Sequence, residues 1–512
     1  MKKFYSTLKW CTVLAIAVLL SSSKTDDKRG ENVVVSPTET LLENELNVLE
    51  PWMSKDLPTK IHAVTDLSHL FSFYADNRFH AQYLPNHKGV TNWCNLFNVD
   101  FSNANLLILL GCDDRIEYLE KDVATINNFL NDGGGVVIFG SENTKSQNKL
   151  LKLFGAEFDG SSTLPLTPSS AVTQVEIEGA GGASSLKLDK KENWEVLISD
   201  ANEKAVMARR NVGKGTLLVS ARSLAGSNPN ASDSINKEIW KPLLEEVASA
   251  KTIDTNKPLR GLGIGDLEHT EDHGTFKLIY NDYMKPYADA MVDVYKRSVP
   301  YIEKRMGVPL SPGMASEITL LATDGGGFSS GKVVALAVWW GGFPEKEGGM
   351  IEFLTHESVH SWVLPFAEVW NEPIATYVGN LVMMDMGHEE EALRTIEGNI
   401  KRATKHDPDM KNYDIGGNLT GKGKELNGGE KNDIHWGKTY WVFEELRKEN
   451  PTFMADYFKL KRKYATPDKV KKYDMNNTVA LLSMAMGRDL FDWFNEHGME
   501  VDKNKAEIKM KL

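Results

Sequence analysis

The stretch that decides the fold of the C-terminal half is Ile351-Glu-Phe-Leu-Thr-His356-Glu-Ser-Val-His360-Ser-Trp-Val-Leu-Pro365. Apolar residues recur along it at helical spacing, and a proline ends the helix at Pro365. His356 and His360 are four residues apart, so their imidazoles share one face of that helix. The stretch therefore predicts a helix that presents two histidines side by side.

Two imidazoles on one helix face are suited to bind one zinc ion, and they leave room for a third ligand and a water molecule. Glu357 lies next to His356 and points beside the same face. A carboxylate in that place can take a proton from an attacking water and later deliver it to a leaving amine. We therefore predict His356 and His360 as metal ligands and Glu357 as the general base. Coincidence is the alternative, because surface helices often contain histidine and glutamate.

The residues downstream of Pro365 argue against coincidence. The segment Trp370-Asn-Glu372-Pro-Ile-Ala-Thr-Tyr377 predicts a second helix, because a proline suits the first turn. Glu372 then stands at the start of that helix and is the predicted third ligand, which gives a His, His, Glu site with one open position. Glu368, separated from His360 by seven residues, is the rival ligand. Its surroundings resemble an interhelical loop.

These two motifs together resemble the gluzincins, the zinc peptidases with two histidines on one helix and a glutamate on the next. The segment around Glu372 is similar to the second-helix motif of the aminopeptidases in that clan. Eleven residues separate His360 from Glu372, and this short spacing looks more like the enhancin and mucin-degrading peptidases. The segment 487–498 also resembles the closing helix of those catalytic domains. The resemblance implies Zn²⁺ as cofactor and a mainly helical, thermolysin-like α+β domain.

A gluzincin also needs a hydrogen-bond donor for the oxyanion that forms during peptide hydrolysis. In the aminopeptidases a tyrosine precedes a Lys-Gly pair at the start of a later helix. The corresponding stretch here is Asp433-Ile-His435-Trp-Gly-Lys-Thr-Tyr440, which lacks a tyrosine at that place. His435 is the first candidate for the donor and Tyr440 is the second. The alternative is that His435 only caps or packs a helix start.

A predicted strand, Val333 to Trp340, lies just before the zinc helix. In gluzincins the strand so placed pairs with the substrate backbone. Trp339 and Trp340 would face opposite sides of it, so one of them could offer a stacking platform for a sugar; ordinary core packing is the alternative. The aminopeptidase motif Gly-x-Met-Glu-Asn, which grips a free amino terminus, is absent from the sequence. Its absence favours cleavage inside a chain.

The region 51–255 has the pattern of a flavodoxin-like α/β domain. The apolar run Leu106 to Leu110 predicts a buried strand, a helical pattern follows, and Val136 to Phe139 predicts the next strand. This region resembles the class I glutamine amidotransferase-like fold. That family places a nucleophilic cysteine in the turn that here reads Gly140-Ser-Glu-Asn143. The missing cysteine predicts a scaffold or binding domain without amidotransferase chemistry. The peptidase domain is then expected over 256–512.

The N-terminal residues 1–23 have the basic start, short apolar run and small residues of a secretory signal, and 24–50 resemble a linker. We therefore expect a secreted, periplasmic or bacterial cell-surface protein with no stable transmembrane segment. The formal net charge of −12 makes a nucleic-acid partner a poor match, because phosphate binding needs clustered cations. Cys94 and Cys112 could form a disulfide or remain free.

The sequence thus predicts a secreted zinc endopeptidase. The resemblance implies protein or glycoprotein substrates such as O-glycosylated mucins. A catalytically inactive peptidase fold that binds glycans or proteins is the alternative, and the intact Glu357 speaks against it.

Overall fold

A computed structural model describes residues 60–69, 88–109, 111–112, 115–140, 145–172, 184–221, 242–322, 326–417, 419 and 425–512. The predicted signal peptide and linker, and most of the Gly140–Asn143 turn, lie outside these described residues. Within them, no helix is both long and apolar enough to cross a membrane.

The N-terminal part is built on a ten-stranded mixed sheet flanked by helices. Its order is β2-β1-β3-β4-β10-β9-β7-β5, with β8 paired to β9 and β6 to β8. The strands are β1 (His62–Asp66), β2 (Lys88–Asn92), β3 (Leu106–Leu109), β4 (Gly135–Phe139), β5 (Ala156–Asp159), β6 (Thr167–Pro168), β7 (Ser185–Leu188), β8 (Glu195–Ser199), β9 (Ala205–Val212) and β10 (Gly215–Ser220). The helices include α1 (Glu120–Asn131) and α2 (Lys145–Lys152).

The strand–helix–strand unit of β3, α1 and β4 confirms the sequence prediction, and its two strands are parallel. The purely flavodoxin-like expectation is wrong for the other half of the sheet. From β10 to β9 the pairing becomes antiparallel, and it remains so through β7 and β5. Short hairpin connections such as Gly213-Lys214 allow this direction change, because antiparallel neighbours need no crossover helix.

The C-terminal part begins with a five-stranded sheet of order β11-β12-β13-β15-β14. Its strands are β11 (His269–Asp272), β12 (Lys277–Tyr280), β13 (Glu317–Leu321), β14 (Gly327–Ser329) and β15 (Val333–Ala337). The predicted strand Val333–Trp340 corresponds to β15, but it ends at Ala337 and pairs with β13 on one side and β14 on the other. Both sides of β15 are therefore occupied, so the expectation that this strand pairs with a substrate backbone is wrong, and β14 is at the edge of the sheet.

Helices make up most of the chain after residue 348, as the sequence predicts. With the long helix that precedes β13, they are α3 (Lys285–Met306), α4 (Gly348–Trp362), α5 (Asn371–Asp385), α6 (Glu389–Thr404), α7 (Gly428–Glu449), α8 (Phe453–Tyr464), α9 (Met475–Met486) and α10 (Phe491–Glu496). The stretch 414–433 is rich in Gly, Asn and Lys, which predicts a loop over the whole range, but α7 already begins at Gly428. Asn427 caps that helix by accepting a hydrogen bond from the Glu430 amide at 3.0 Å.

The two sheets belong to two large hydrophobic cores, one for each part of the chain. Cys94 lies in the first core and Cys112 in the second, and both are buried free thiols. The structure therefore decides the open question about these cysteines in favour of free thiols.

A buried ionic group lies where the two parts meet, and we call Asp66, His69, Asp122 and Tyr283 the His69 cluster. The Nδ1 atom of His69 is 2.7 Å from Asp66 Oδ2, and its Nε2 atom is 3.6 Å from Asp122 Oδ2. The Tyr283 hydroxyl, which belongs to the C-terminal part, donates to Asp122 Oδ1 at 2.7 Å. Burial lowers the pKa of His69, but the charge of Asp66 and the bonds to both carboxylates outweigh it and raise that pKa to about 9.

Candidate metal centre

The zinc helix predicted from the sequence is α4, which lies between the second sheet and α5. Its apolar residues, among them Ile351, Leu354 and Val359, are fully buried, which explains why the segment folds as a helix against the sheet. A glycine lets α5 come close. A methyl group on Gly379 would lie 2.7 Å from the Glu352 carbonyl oxygen, too near for any other residue. This close approach brings the N-terminus of α5 beside the histidines.

A buried ion pair holds the loop between α4 and α5. The Lys461 ammonium, on α8, donates to Glu368 and to the carbonyl oxygens of Val363 at 3.1 Å and Phe366 at 2.6 Å. The Tyr457 hydroxyl donates to the other Glu368 oxygen at 2.6 Å. Both carboxylate oxygens of Glu368 therefore have structural partners, and this geometry argues against Glu368 as the rival metal ligand.

The three predicted ligands come together at one point. The Nε2 atoms of His356 and His360 are 3.2 Å apart. The Glu372 carboxylate lies 3.2 Å from His356 Nε2 through Oε2 and 3.6 Å from His360 Nε2 through Oε1. Ligands at about 2.0–2.1 Å in a tetrahedron around zinc stand about 3.3 Å apart. The separations between the two nitrogens and the carboxylate oxygens are therefore close to those of donor atoms around a tetrahedral metal.

At its Nδ1 atom, on the side away from the centre, each imidazole contacts a neutral side chain of α5. His356 Nδ1 is 2.8 Å from the Thr376 hydroxyl oxygen, and His360 Nδ1 is 3.2 Å from Asn371 Oδ1. Partners at Nδ1 leave Nε2 as the atom that faces the centre. Thr376 and Asn371 were not singled out in the sequence. Thr376 stands four residues after Glu372 and Asn371 stands one residue before it, on the face of α5 that meets α4. This spacing could have identified them from the sequence.

The electrostatics of the centre, taken without a metal, show how strongly the three groups interact. Burial lowers the pKa of His356, but the hydrogen bond and charge of Glu372 raise it to about 9. Burial lowers the pKa of His360, which also feels the neighbouring His356. Burial raises the pKa of Glu372, yet the charges of His360 and His356 bring it down to about 2. A proton on His356 thus compensates the carboxylate where a cation would otherwise do so.

Glu357 lies beside these donor atoms, as predicted for the general base. An oxygen of its carboxylate is within 4.8 Å of ring nitrogens of both histidines. On its other side is β14, the terminal strand of the sheet. A methyl group on Gly327 would lie 3.2 Å from Glu357 Oε1 and 2.4 Å from the Ala335 carbonyl oxygen. Only a glycine therefore lets the terminal strand pass so close to the Glu357 carboxylate.

His435 belongs to the same neighbourhood. It lies in the second turn of α7, and the charge of Glu372 acts on its imidazole. Burial lowers the pKa of His435 to about 4, which Glu372 only partly offsets. The ring is therefore neutral near pH 7, with one N–H available as a donor. The first oxyanion candidate is thus within electrostatic reach of Glu372.

Tyr440, the second oxyanion candidate, lies deeper. Its side chain is fully buried, and its hydroxyl has no hydrogen-bond partner among the described residues by distance and angle. Burial raises its pKa, and Thr376 and Glu352 are the nearest side chains that influence it. Tyr440 therefore lies behind the Thr376–His356 contact, which favours His435 over Tyr440 as oxyanion donor.

The two predicted substrate-binding tryptophans do not alternate along a strand. Trp339 follows the end of β15, and Trp340 begins a short 3-10 helix at Trp340–Gly342. The guanidinium of Arg115, from the N-terminal part, lies 4.4 Å above the Trp339 ring and donates to the Trp339 carbonyl oxygen at 3.3 Å. Trp340 packs on Phe353 of α4, with ring centroids 4.7 Å apart. Both geometries favour packing, the alternative considered from the sequence.

The donor set fits zinc better than a harder cation. Two imidazole nitrogens and one carboxylate form a mixed N/O set, whereas Mg²⁺ and Ca²⁺ prefer oxygen ligands. His356, His360 and Glu372 converge on a single point, while Glu357 remains beside it. The residues present therefore fit a zinc ion with one position left open.

Comparisons with known proteins add only partial likenesses. No family model and no curated protein matches the chain. Among solved structures, native leukotriene A4 hydrolase from Saccharomyces cerevisiae aligns at 13% identity and a TM-score of 0.32 over 45% of this chain and 37% of its own. An exo-β-1,4-mannosidase from Opitutaceae bacterium strain TAV5 aligns at 14% identity and a TM-score of 0.27, over 39% and 37%.

A β-galactosidase from Bacillus circulans sp. alkalophilus gives a TM-score of 0.28 at 11% identity, over 38% of this chain and 32% of its own. The chain thus spans less than two thirds of the length of each of these three structures. At such TM-scores the case for function rests on the geometry of the site.

Proposed function

We propose that this chain is a zinc-dependent endopeptidase of the gluzincin type, with His356, His360 and Glu372 as ligands. The observation that carries the proposal is the convergence of the three side chains: the two Nε2 atoms are 3.2 Å apart, and the Glu372 carboxylate lies 3.2 Å from one of them through Oε2 and 3.6 Å from the other through Oε1. Two neutral nitrogens and a carboxylate that converge in this way repel one another unless a proton or cation lies between them. A functional metal site explains why they are held so.

Zinc, when bound, supplies the Lewis acidity that polarises a peptide carbonyl and makes water a better nucleophile. The protein supplies the remaining parts. Glu357 removes a proton from the attacking water and delivers it to the leaving amine. His435, neutral near pH 7, donates its ring N–H to the developing oxyanion. Each of these groups lies at the metal centre or is electrostatically coupled to it.

The terminal strand β14 is the proposed place for the substrate backbone. It lies at the edge of the sheet, where an extended peptide can add as a further strand. Gly327 brings this strand against Glu357, so a peptide paired there would pass over the general base. The motif Gly-x-Met-Glu-Asn is absent from the sequence, which supports internal cleavage.

The choice of substrate rests on the resemblance to enhancin-like and mucin-degrading peptidases, which supports O-glycosylated proteins such as mucins. The N-terminal segment 1–23 supports action outside the cytoplasm. We propose the α/β region as a scaffold, in line with the absence of a cysteine from the Gly140–Asn143 turn.

Digestion of mucin and of deglycosylated mucin, by wild type and by Glu357→Ala, tests the proposal. Zinc content is measured on both proteins. We expect the variant to keep one zinc ion and to lose cleavage by about 10²–10⁴-fold, the usual worth of a general base. Equal cleavage by both proteins would refute the role of Glu357, and a wild type without zinc would refute the site. Cleavage of the glycosylated mucin alone would support a glycan-dependent peptidase.

A further inference from the structure

The hydrogen bond at His356 Nδ1 involves a neutral hydroxyl group and not a carboxylate. The Thr376 hydroxyl oxygen lies 2.8 Å from His356 Nδ1, and Thr376 stands four residues after Glu372, one turn along α5. One helix therefore supplies both a ligand and the side chain that orients another ligand. A histidine that binds zinc through Nε2 carries its proton on Nδ1, so the threonine oxygen must accept.

A hydroxyl that accepts one hydrogen bond still has its own proton to donate. The Tyr440 hydroxyl lies on the far side of Thr376, is fully buried, and has no other hydrogen-bond partner within the described part of the chain. Thr376 is the hydroxyl that acts on the Tyr440 hydroxyl, so a small movement of either side chain would give Tyr440 a hydrogen-bond partner. Thr376 can be the donor to Tyr440 or accept from it as well, and in both arrangements its oxygen accepts from His356 Nδ1.

We propose that Thr376, backed by Tyr440, is the positioning residue that holds His356 in the tautomer able to bind zinc, and that it does so without adding a negative charge. The inference rests on the proposed function, because it assumes that zinc binds at the metal centre. It gives Tyr440 a role other than the oxyanion contact predicted from the sequence.

A neutral acceptor has a consequence for the metal. A carboxylate behind a histidine ligand raises the basicity of the imidazole, whereas a hydroxyl or an amide adds much less. Asn371 provides the second neutral acceptor, at 3.2 Å from His360 Nδ1. Both imidazoles therefore act as ordinary neutral ligands, and Glu372 is the ligand that brings negative charge. Zinc affinity should then depend on the orientation of the rings more than on their basicity.

Chelator competition with zinc alone as the probe tests this, on wild type, Thr376→Val and Thr376→Ser. The valine variant keeps the shape of threonine and removes the acceptor, so we expect its zinc affinity to fall about 10- to 100-fold. The serine variant keeps the hydroxyl and should stay within about threefold of wild type. Tyr440→Phe should weaken binding less than Thr376→Val does, because it removes only the group behind the acceptor.

The metal-free proteins provide the control for a purely structural role. Zinc-free Thr376→Val should keep the wild-type circular dichroism and unfold cooperatively, at a lower temperature than zinc-free wild type, because the substitution leaves the buried His356 Nδ1 without its partner. Equal zinc affinity of wild type and Thr376→Val would overturn the inference and leave the proposed function standing. An equal loss in Thr376→Ser and Thr376→Val would also overturn it. A wild type that binds no zinc would overturn the proposed function itself.

Discussion

The metal centre and the His69 cluster are built from the same kinds of residue and differ in where their hydrogen bonds point. In the His69 cluster each ring nitrogen faces its own carboxylate, Asp66 at 2.7 Å and Asp122 at 3.6 Å. In the metal centre the Nδ1 atom of each ring contacts a neutral side chain, and both Nε2 atoms face the Glu372 carboxylate.

The surroundings strengthen this difference. The His69 ring lies between Tyr118 and Tyr283, with centroid distances of 4.1 and 4.2 Å, and has no exposed surface. The carboxylates of this cluster receive further donors, including the Tyr283 hydroxyl and the Asn92 amide. The side chains of His356 and His360 remain 13% and 16% exposed, which leaves an approach to the centre. Residue composition alone therefore does not distinguish a metal-binding site from a buried structural ion pair. The direction in which the lone pairs point does distinguish them.

Removal of the ligand carboxylate should give the largest difference between the two groups. We expect Glu372→Gln to lower zinc affinity by about 10³-fold or more, because a charged ligand is lost from a site that supplies binding energy on the order of 10 kcal/mol. Chelator competition measures the affinity. Asp122→Asn and Glu368→Gln are the matched controls and should keep wild-type zinc affinity. Zinc loss in Glu368→Gln but not in Glu372→Gln would mean that the rival ligand is the true one.

We expect the opposite pattern for His69→Gln, which should lower stability and leave zinc binding unchanged. The substitution leaves Asp66 and Asp122 buried without a cation, which should cost about 3–5 kcal/mol of the free energy of unfolding. Urea denaturation measures this loss, and zinc content should stay unchanged. A second substitution, Asp122→Asn, should recover part of the stability because it removes one stranded charge. If His69→Gln also emptied the metal centre, the two groups would not be independent.

Substitutions of the two oxyanion candidates should differ in their effect on activity. We expect His435→Gln to lower kcat/KM by about 10²–10³-fold, the usual effect of removing one oxyanion donor. Tyr440→Phe should lower it by about threefold or less at saturating zinc, in keeping with one neutral hydrogen bond. Steady-state hydrolysis of a peptide substrate compares both variants with wild type. A larger effect in Tyr440→Phe would reverse the assignment of the two residues.

The smallest expected effect is a pH dependence of stability that belongs to the His69 cluster. The folded-state pKa of His69 is about 9, above the unfolded value of about 6.5, so protonated His69 stabilises the fold. This stabilisation is complete below about pH 6.5 and is lost as the pH rises through about 9. Unfolding free energies of metal-free protein should fall over that window in wild type and fall less steeply in His69→Gln, in which His356, whose pKa is also raised to about 9, still titrates. Asp66, Asp122, Tyr118 and Tyr283 are the ionisable groups that face the ring.

Local patterns in the sequence were sufficient for the core of the metal centre. Four-residue spacing placed His356 and His360 on one helix face, and the proline after Glu372 marked a helix start. The run Leu106–Leu109 gave a buried strand for the same reason, since its neighbours on the chain decide its structure. Each of these predictions depends on residues that are close in sequence.

Long-range contacts decided the features that the sequence did not reveal. The terminal strand β14 has three residues, too few for an alternating pattern, and it is recognisable only by its pairing with β15. Lys461 reaches Glu368 across 93 residues, so no spacing rule could have excluded Glu368 as a ligand. The position of Tyr440 behind Thr376 likewise depends on how α7 packs against α5. Packing between distant segments, not local propensity, settled these points.

The most direct test of the account is the coordination of zinc in the wild-type protein. Zinc K-edge X-ray absorption on protein with one equivalent of zinc should show two histidine nitrogens and one carboxylate at about 2.0–2.2 Å. His360→Ala should lose one of the nitrogens or the metal altogether. Such a result is what a centre formed by His356, His360 and Glu372 predicts. Zinc held without histidine, or no zinc bound at stoichiometric concentration, would contradict a zinc centre at these three residues.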